Sequence, residues 1–234
     1  MKKTIVILVI LYSALVLSYN NYSSSFFSEQ GINKGSKVSI ARLKYSGGGD
    51  WFNDPSAEVN MLEYLKKNTL IDVDEPKFIA VDISSDEIFK FPILILTGHG
   101  NINFSPEEAV RLRKYCESGG FLFADDDYGM DESFRKEIKK VFPDKNLIEL
   151  PFNHPIYNLH YKFSNGLPKI HEHDQKPPQG FGIYSLEGRL CVFYTYETNI
   201  TDGWADTKEH QDPPEKREEA FKIGTNIIVY ALMN

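Results

Sequence analysis

The sequence predicts an α/β fold in which a mostly parallel sheet is flanked by helices. Strand-like and helix-like segments alternate along the chain, and this alternation is typical of parallel sheets joined by helices. The strand-like segments are continuous apolar runs rather than every-other-residue patterns, which indicates burial on both faces. Capping signals mark the helix starts; the clearest is the capping box Ser105-Pro106-Glu107-Glu108.

The first half of the predicted domain contains three strands and two helices. Asp54-Pro55 begins the first helix in the same style as Ser105-Pro106 begins the second. The apolar runs between these helices have the length and composition of buried strands. In chain order the predicted elements are strand Val38–Tyr45, helix Pro55–Asn68, strand Phe78–Asp82, strand Ile93–Thr97 and helix Pro106–Glu117.

The second half continues the alternation and ends in a β-hairpin and a helix. The hairpin turns at Glu187-Gly188 between two apolar runs. The last helix begins at Pro213-Pro214-Glu215, and its apolar residues recur at helical spacing, so one face packs on the sheet. The elements are strand Gly120–Asp125, helix Glu132–Val141, strand Leu147–Leu150, strands Phe181–Leu186 and Arg189–Tyr196, and the final helix.

The N-terminus has the pattern of an export signal. Lys2-Lys3 precede an apolar run from Ile5 to Leu17, which is shorter than the roughly 20 residues that a membrane span needs. We expect residues 1–18 to be a signal peptide or an N-terminal anchor, 19–36 a linker and 37–234 a single α/β domain. The protein is then exported, periplasmic or anchored to the outer face of the inner membrane, and it contacts the membrane only through this segment.

Charge and cysteine content restrict the function classes. The net charge of -7 argues against nucleic acid, because a phosphate backbone requires a basic surface. Cys116 and Cys191 lie within a predicted helix and a predicted strand. We expect both to be buried small residues, although a disulfide is the alternative in an exported protein.

Four apolar runs lead directly into polar stretches. If these runs are parallel strands, all four stretches lie at one edge of the sheet, where open α/β folds bind ligands. We expect His99, flanked by glycines, and Asp126 to act as acid, base or ligand, with Asp125 as a ligand-binding residue. The alternative for this acidic cluster is a helix N-terminus, which favours Asp. The stretches are Ser46–Trp51, Thr97–Asn101, Asp125–Asp127 and Pro151–Pro155.

The glycine-rich stretch Gly47–Trp51 lies between a strand and a helix, where an anion can bind at the helix N-terminus. It matches neither the phosphate-binding loop nor the dinucleotide fingerprint. We expect Gly48, Asp50 and Trp51 to bind ligand, whereas a tight turn is the alternative. Arg42, on the preceding strand, is also expected to bind ligand or to offset the acidic cluster; pairing with a surface carboxylate is its alternative.

Residues 151–180 lack periodicity and are far longer than the usual loop of about 4–6 residues. We predict a lid over the strand ends, because the segment contains four of the six histidines. His154, in this segment, is expected to bind ligand. Trp204, in the later polar stretch 198–210, is expected to bind ligand as well. His171 and His173 share one side of an extended chain, and we predict that they bind zinc or manganese. A hydrogen-bonded lid without metal is the alternative.

Six further motifs are spread over nearly the whole region from Val38 to Asn234. They are Ala41–Tyr45, Gly47–Trp51, Leu96–Gly100, Gly119–Asp126, Gly166–His173 and Asp202–Trp204. Together these motifs resemble a bacterial family called domain of unknown function 4159. The resemblance implies a class I glutamine amidotransferase-like fold, akin to its trehalose-utilisation type, and the overall architecture is expected to be flavodoxin-like.

One departure from that fold is chemical. A glutaminase of this fold has a Cys nucleophile on a sharp turn after a strand, with a His nearby. Here the comparable strand ends in Asp125-Asp126-Asp127, and Cys116 precedes it. Amidotransfer through a thiolate is therefore excluded.

Two functions are compatible with these residues. The first is a non-catalytic module of the cell envelope that binds a small polar or glycan ligand, or an envelope protein, through a His/Asp pocket at the strand ends. The second is a hydrolase of a small polar or carbohydrate substrate, with or without a metal. The absence of a complete catalytic signature favours the module, and the cluster of titratable groups favours the hydrolase.

Overall fold

The computed structural model describes residues 37–234, so the expected signal peptide or anchor and the linker lie outside the described residues. The strands are β1 (Ile40–Lys44), β2 (Ala80–Asp82), β3 (Ile93–His99), β4 (Phe121–Tyr128), β5 (Ile148–Glu149), β6 (Gln179–Tyr184) and β7 (Leu190–Tyr196). The helices are α1 (Ala57–Asn68), α2 (Pro106–Glu117), α3 (Asp131–Val141), α4 (Pro155–Asn158), α5 (Thr207–His210) and α6 (Pro214–Met233). Short 3-10 helices occupy Asp86–Lys90 and Asp202–Trp204.

The seven strands form one sheet in the order β2-β1-β3-β4-β7-β6-β5. The first five strands of that order run parallel, whereas β6 pairs antiparallel with both β7 and β5. The order β2-β1-β3-β4 is that of a flavodoxin-like sheet, in which the strand order reverses between β1 and β3. The predicted fold class, a mostly parallel α/β sheet with a C-terminal hairpin and helix, is therefore confirmed.

The run Leu147–Leu150 differs from the prediction. It forms the two-residue strand β5, which lies at the far edge of the sheet and pairs antiparallel with β6. Both residues of β5 are exposed, so the apolar run is not a strand buried on both faces. β5 runs in the same direction as β4 and β7, but His154, in the polar stretch that follows it, contacts Tyr184 at the other end of the strands.

The side chains of β3 and β4 alternate between two apolar cores on opposite faces of the sheet. One core, here called the α1/α6 face, receives Ile93, Ile95, Phe121 and Phe123. The other, the α2/α3 face, receives Leu94, Leu96, Leu122 and Ala124. Because successive side chains of a strand point to opposite faces, this alternation decides where the polar residues that follow are directed.

Local signals in the sequence match the helices that form. Ser105 Oγ accepts a hydrogen bond from the N–H of Glu108 at 3.2 Å, and Glu108 accepts one from the N–H of Ser105 at 2.7 Å. This pair is the predicted capping box at the start of α2. Cys116 and Cys191 are buried and free, as expected. Within residues 37–234, no helix combines the length and apolarity required to cross a bilayer.

Residues 151–180 pack mainly against the body of the domain. Ile156, Tyr157, Leu167 and Ile170 are buried in the core of the α1/α6 face. Asn226 of α6 accepts hydrogen bonds from the backbone N–H groups of residues 160 and 161 and donates to the carbonyls of 157 and 161. Residues 155–170 thus pack as part of the apolar core, and the segment reaches the strand ends at residues 171–176.

Candidate functional site

Polar side chains gather where β3, β4 and β7 end, beside the loop that follows β1. In the register of β3 and β4, Thr97 lies beside Asp125, Gly98 beside Asp126 and His99 beside Tyr128. The register shifts between Gly98 and His99. This edge includes the point between β1 and β3 where the strand order reverses, which is the usual ligand position in such sheets.

The three consecutive aspartates divide between the two faces of β4. Asp125 and Asp127 continue the alternation of Phe121 and Phe123 and point to the α1/α6 face, whereas Asp126 points to the α2/α3 face. All three side chains are buried. His99 and Asp126, the expected catalytic pair, are therefore at one edge of the sheet but on opposite faces.

Asp126 stabilises the turn into α3. Its Oδ1 accepts hydrogen bonds from the backbone N–H groups of Tyr128 at 3.2 Å and Met130 at 2.9 Å. Burial raises the pKa of this carboxyl, although the two backbone hydrogen bonds oppose the shift. The helix-start role that the sequence left open for the acidic cluster is thus filled by Asp126.

Asp125 has no exposed surface, which is incompatible with the expected contact to a ligand. It accepts hydrogen bonds from the Thr195 hydroxyl at 2.5 Å, and from the Thr201 N–H at 2.7 Å and hydroxyl at 2.8 Å. Burial raises its pKa to about 7, and the hydrogen bonds from Thr195 and Thr201 oppose that shift. Asp125 therefore anchors the loop after β7.

His99 is held by two carboxylates. Its Nδ1 lies 3.1 Å from Asp50 Oδ2 and 3.4 Å from Asp127 Oδ2, and its backbone N–H donates to Asp50 Oδ1 at 2.5 Å. The side chain remains 50% exposed, and among residues 37–234 its Nε2 has no hydrogen-bond partner. The glycine-rich loop and His99 are thus brought together as expected.

Asp127 connects this histidine to the buried interior of the site. Asn199 Nδ2 donates to Asp127 Oδ1 at 2.9 Å and to its backbone oxygen at 2.6 Å, and Asn53 donates to Asp127 Oδ2. Burial, and then the negative charge of Asp202, raise the pKa of Asp127 well above its usual range. The neutral acid is therefore the favoured form of Asp127.

A second network joins histidines and aspartates from separate loops. His171 Nδ1 lies 3.0 Å from Asp202 Oδ2, and His171 Nε2 lies 2.7 Å from Asp212 Oδ1. His210 Nε2 lies 2.9 Å from Asp54 Oδ2 and 3.9 Å from Asp202 Oδ1. Asp202 thereby lies between the two imidazoles, which are 5.3 Å apart by ring centroid.

The network favours charged forms of its members. Hydrogen bonding to Asp202 raises the pKa of His171, and hydrogen bonding to Asp54 raises the pKa of His210 to about 9. Burial alone would raise the pKa of Asp202, but hydrogen bonds from His171, Asp127 and Asn199 lower it below its usual value. Two groups have ligand atoms within 4.8 Å of one another and could hold a metal: His171, Asp202, His210 and Asp54, Asp127, Asp202.

His173 takes a different position from His171. Its Nε2 lies 2.8 Å from Asn199 Oδ1, and its ring stacks on Tyr128 at 4.5 Å between centroids. The rings of His171 and His173 are 6.2 Å apart at an angle of 77°. The described partners therefore differ, because His171 faces Asp202 and Asp212 whereas His173 faces Asn199.

A pocket of about 400 Å³ opens at the ends of β4 and β7, on the side of Asp126. We call it the strand-end pocket. Besides carboxylates, its lining contains one imidazole, one ammonium group and two phenol rings, and includes Asp126, Tyr128, His173, Asp174, Lys176 and Tyr196. Asp126 and His173, which were expected in different roles, therefore line the same cavity.

Arg42 is completely buried, and its described partners are Glu58 and the loop after β1 instead of the acidic cluster. Its Nε lies 2.5 Å from Glu58 Oε1, and Nη1 donates to the carbonyls of Trp51 and Asn53 at 2.9 and 3.1 Å. Arg42 thus shapes the loop that carries Asn53 and Asp54. Gly48 is exposed with φ +93°, and half-buried Trp51 lies under Lys44 at 5.3 Å.

Trp204 and His154 do not lie where a ligand at this edge could touch them. Trp204 is completely buried, and its Nε1 donates to the Ala220 carbonyl at 2.9 Å, so it is a core residue beneath the site. His154 Nε2 lies 3.4 Å from the hydroxyl of Tyr184. Tyr184 ends β6, which runs antiparallel to its neighbour β7. His154 therefore lies near the amino ends of the parallel strands, whereas the site lies at their carboxyl ends.

Strained backbone is concentrated around the site. Positive φ angles occur at Asp54 (43°), Tyr128 (136°), Glu197 (59°) and Asn199 (55°). Such angles are unfavourable for residues with side chains and persist where the surrounding structure enforces them. Three of these residues, Asp54, Tyr128 and Asn199, contact the histidines of the site directly, which is a second indication that this edge is functional.

Several residues that form the networks are not among those predicted from the sequence. The missed residues are Asn53, Asp54, Asp127, Asn199, Asp202, His210 and Asp212. Two signals were present: the polar stretch 198–210 with Asp202-Gly203-Trp204 at its centre, and Asp54-Pro55 at a helix start. Strand alternation would also have separated Asp125 and Asp127 from Asp126.

Comparison with known proteins identifies the family. No curated protein matches the chain well enough to count as a relative. A family model described as Domain of unknown function (DUF4159) matches residues 39–232, which include every described strand. The chain therefore belongs to the family of domain of unknown function 4159.

Proposed function

We propose that this domain binds a small polar ligand of the carbohydrate class in the strand-end pocket. The lining of the pocket carries the proposal, because it combines carboxylates, an imidazole and two tyrosine rings around about 400 Å³. This volume is within the range of small-molecule sites. Carboxylates accept hydrogen bonds from hydroxyl groups, and aromatic rings supply apolar surface for the face of a sugar ring.

The pocket presents groups that are free to make these contacts. Tyr128 is 49% exposed, and its ring is fixed by stacking on His173. Tyr196 receives a hydrogen bond from Lys176 Nζ at 2.8 Å. Asp126 uses only Oδ1 for the turn, and within residues 37–234 its Oδ2 has no hydrogen-bond partner. Oriented rings and a free carboxylate oxygen support binding of a hydroxylated molecule.

Titration of the full chain with glucose, N-acetylglucosamine and trehalose tests the proposal by amide chemical shifts. We expect saturable shifts at residues 126–130 and 196–197 with at least one of these sugars. Tyr196→Ala should weaken that binding about tenfold, the equivalent of about 1.4 kcal/mol. Phe52→Ala is the matched control, since Phe52 is an exposed aromatic residue outside the pocket lining. Absence of saturable shifts, or equal weakening by both variants, would contradict the proposal.

Hydrolysis is the second candidate, and the geometry of His99 favours it. An imidazole whose Nδ1 is held by carboxylates can accept a proton from water or a hydroxyl through Nε2. Asp50 provides such a contact at 3.1 Å. The chain's two cysteines are buried, which is consistent with a mechanism that does not use a thiolate.

Nitrophenyl glycosides and nitrophenyl acetate are suitable probes for this second candidate. If the protein hydrolyses one of them, His99→Gln should reduce kcat at least about 100-fold, the usual size of a general-base contribution. His160→Gln replaces another exposed histidine and should leave the rate unchanged. Equal rates for wild type and His99→Gln would rule out His99 as the base.

We place this activity in the cell envelope, on the basis of the N-terminal pattern of Lys2-Lys3 and the apolar run that follows. Residues 1–36 fused to alkaline phosphatase test the location, because that enzyme is active only after export. Active fusions are expected. Fusions that stay inactive, while a fusion with a known signal is active, would contradict export.

A further inference from the structure

We propose that His171, Asp202, His210 and Asp54 form a binding site for a divalent transition-metal ion, with zinc as the best match. This site is separate from the strand-end pocket, and the inference does not depend on the proposed ligand. Two imidazoles and two carboxylates are a mixed nitrogen and oxygen donor set that zinc accepts in tetrahedral geometry. The donor atoms that face one another are His171 Nδ1, His210 Nε2 and oxygens of Asp202 and Asp54.

The distances between these atoms fit an ion at their centre. Donors about 2.0–2.2 Å from a tetrahedral zinc are roughly 3.4 Å from one another. Here His171 Nδ1 is 3.0 Å from Asp202 Oδ2, and His210 Nε2 is 2.9 Å from Asp54 Oδ2 and 3.9 Å from Asp202 Oδ1. One donor atom from each of His171, Asp202 and His210 lies within 4.8 Å of the other two, and Asp54 Oδ2 contacts His210, so modest side-chain movements would convert these contacts into a coordination shell.

Asp212 supplies an independent observation. A metal-bound histidine usually donates its second ring N–H to a carboxylate, which fixes the ring and its tautomer. His171 Nε2, the nitrogen directed away from Asp202, lies 2.7 Å from Oδ1 of buried Asp212. Asp212 thus holds His171 with Nδ1 directed towards the proposed ion.

The charge of the site is also compatible with a divalent cation that replaces the two imidazole protons. The four proposed ligands and Asp212 comprise three carboxylates and two imidazoles, and Asp202 and Asp212 are buried. Buried carboxylates are costly unless they are paired or coordinate a metal. A divalent ion bound to two neutral imidazoles would offset the charge of Asp54 and Asp202 in full.

The ligands come from four separate parts of the chain. Asp54 follows β1, His171 lies within the long segment 151–180, Asp202 follows β7 and His210 ends α5. An ion would therefore connect loops that the sheet leaves independent. Because an ion that binds only the folded state stabilises it, the melting temperature should rise with metal concentration.

Metal content and cobalt spectroscopy test the inference without any assay of activity. The full chain is dialysed against chelator, reloaded with zinc or cobalt, and measured for bound metal, melting temperature and visible cobalt absorption. Wild type should bind one ion per chain with a higher melting temperature. His210→Gln and Asp54→Asn should lose the ion and the metal-dependent rise, since both remove ligands that are only half-buried.

His173→Gln is the matched control. It replaces a histidine only two residues from His171 that faces Asn199 instead of the proposed ion, and it should retain full metal content. Loss of metal in His173→Gln with retention in His210→Gln would transfer the site to the pair predicted from sequence and overturn this inference. Wild type that binds no stoichiometric metal, and whose melting temperature ignores zinc, manganese and cobalt, would also overturn it. Sugar binding is measured separately, so either proposal can fail alone.

Discussion

The two faces of the sheet end differently at the same edge. On the α2/α3 face, the apolar core continues to Met130, and Asp126 satisfies backbone N–H groups at the start of α3. On the α1/α6 face, the core ends at Trp204, and buried Asp125, Asp127 and Asp202 lie above it. One face therefore closes with an ordinary helix start, and the other closes with a network of carboxylates and histidines.

This difference shows that neighbouring positions in a strand can have unrelated roles. Asp126 and Asp127 are adjacent in sequence and have the same functional group. Strand geometry sends the first to a turn and the second to His99 and Asn199. A shift of one residue in register would exchange these roles, so the register of β3 against β4 sets the chemistry of the edge.

The largest expected effect compares the two cores directly. Trp204→Ala and Phe134→Ala each remove a completely buried aromatic side chain, and each should lower the free energy of unfolding by about 3–5 kcal/mol. Only Trp204 belongs to the turn that carries Asp202, so only its replacement should shift the imidazole signals of His171 and His210. Urea unfolding and histidine NMR measure both effects. Equal perturbation of the histidines by Phe134→Ala would contradict the separation of the faces.

A smaller effect concerns pH and Asp125. Its pKa is about 7 in the folded protein against a usual value of 3.8, so between pH 4 and 7 the folded state retains a proton that the unfolded state loses. The contribution of Asp125 to the free energy of unfolding is therefore highest below pH 4, decreases as the pH rises to 7, and then stays level. The full decrease is on the order of a few kcal/mol. Asp125→Asn should remove this dependence.

The Asp125→Asn variant is a suitable comparison because the neighbouring hydroxyl group can keep its hydrogen bonds. Thr195 Oγ1 already lies 3.3 Å from the Ala124 carbonyl, so it can donate there and accept from the new amide. Stability differences between wild type and Asp125→Asn, measured by urea unfolding from pH 4 to pH 8, should therefore change with pH in favour of the variant. A constant difference across this range would show that Asp125 is ionised throughout.

The smallest effect tests the α2/α3 face. Asp126→Ala removes the acceptor for the N–H groups of Tyr128 and Met130 and should cost about 1–2 kcal/mol, as for the loss of other helix caps. Asp126→Asn keeps an acceptor oxygen and should cost much less. If both variants lost the same stability, the charge of Asp126 rather than its hydrogen bonds would be the important property.

The elements and the strand ends that carry the site are predictable from the sequence, whereas the grouping of residues at those strand ends is not. Continuous apolar runs and capping residues are local signals, so β3, β4 and α2 were predictable. The positions of Asp54, His210 and Asp212 depend on how loops cross the ends of the strands, which no local pattern encodes. His154 shows that a local signal can also mislead. It follows strand β5, but the loop places it beside Tyr184, at the end of the sheet away from the site.

Strand lengths at the two borders of the sheet affect how the protein behaves at high concentration. The border strands β2 and β5 contain three and two residues, and Glu149 adds a charge to the second. Long unpaired borders attract strands from other molecules and promote aggregation, whereas short and charged borders resist it. Within residues 37–234, the borders of the sheet therefore offer little backbone for strand addition.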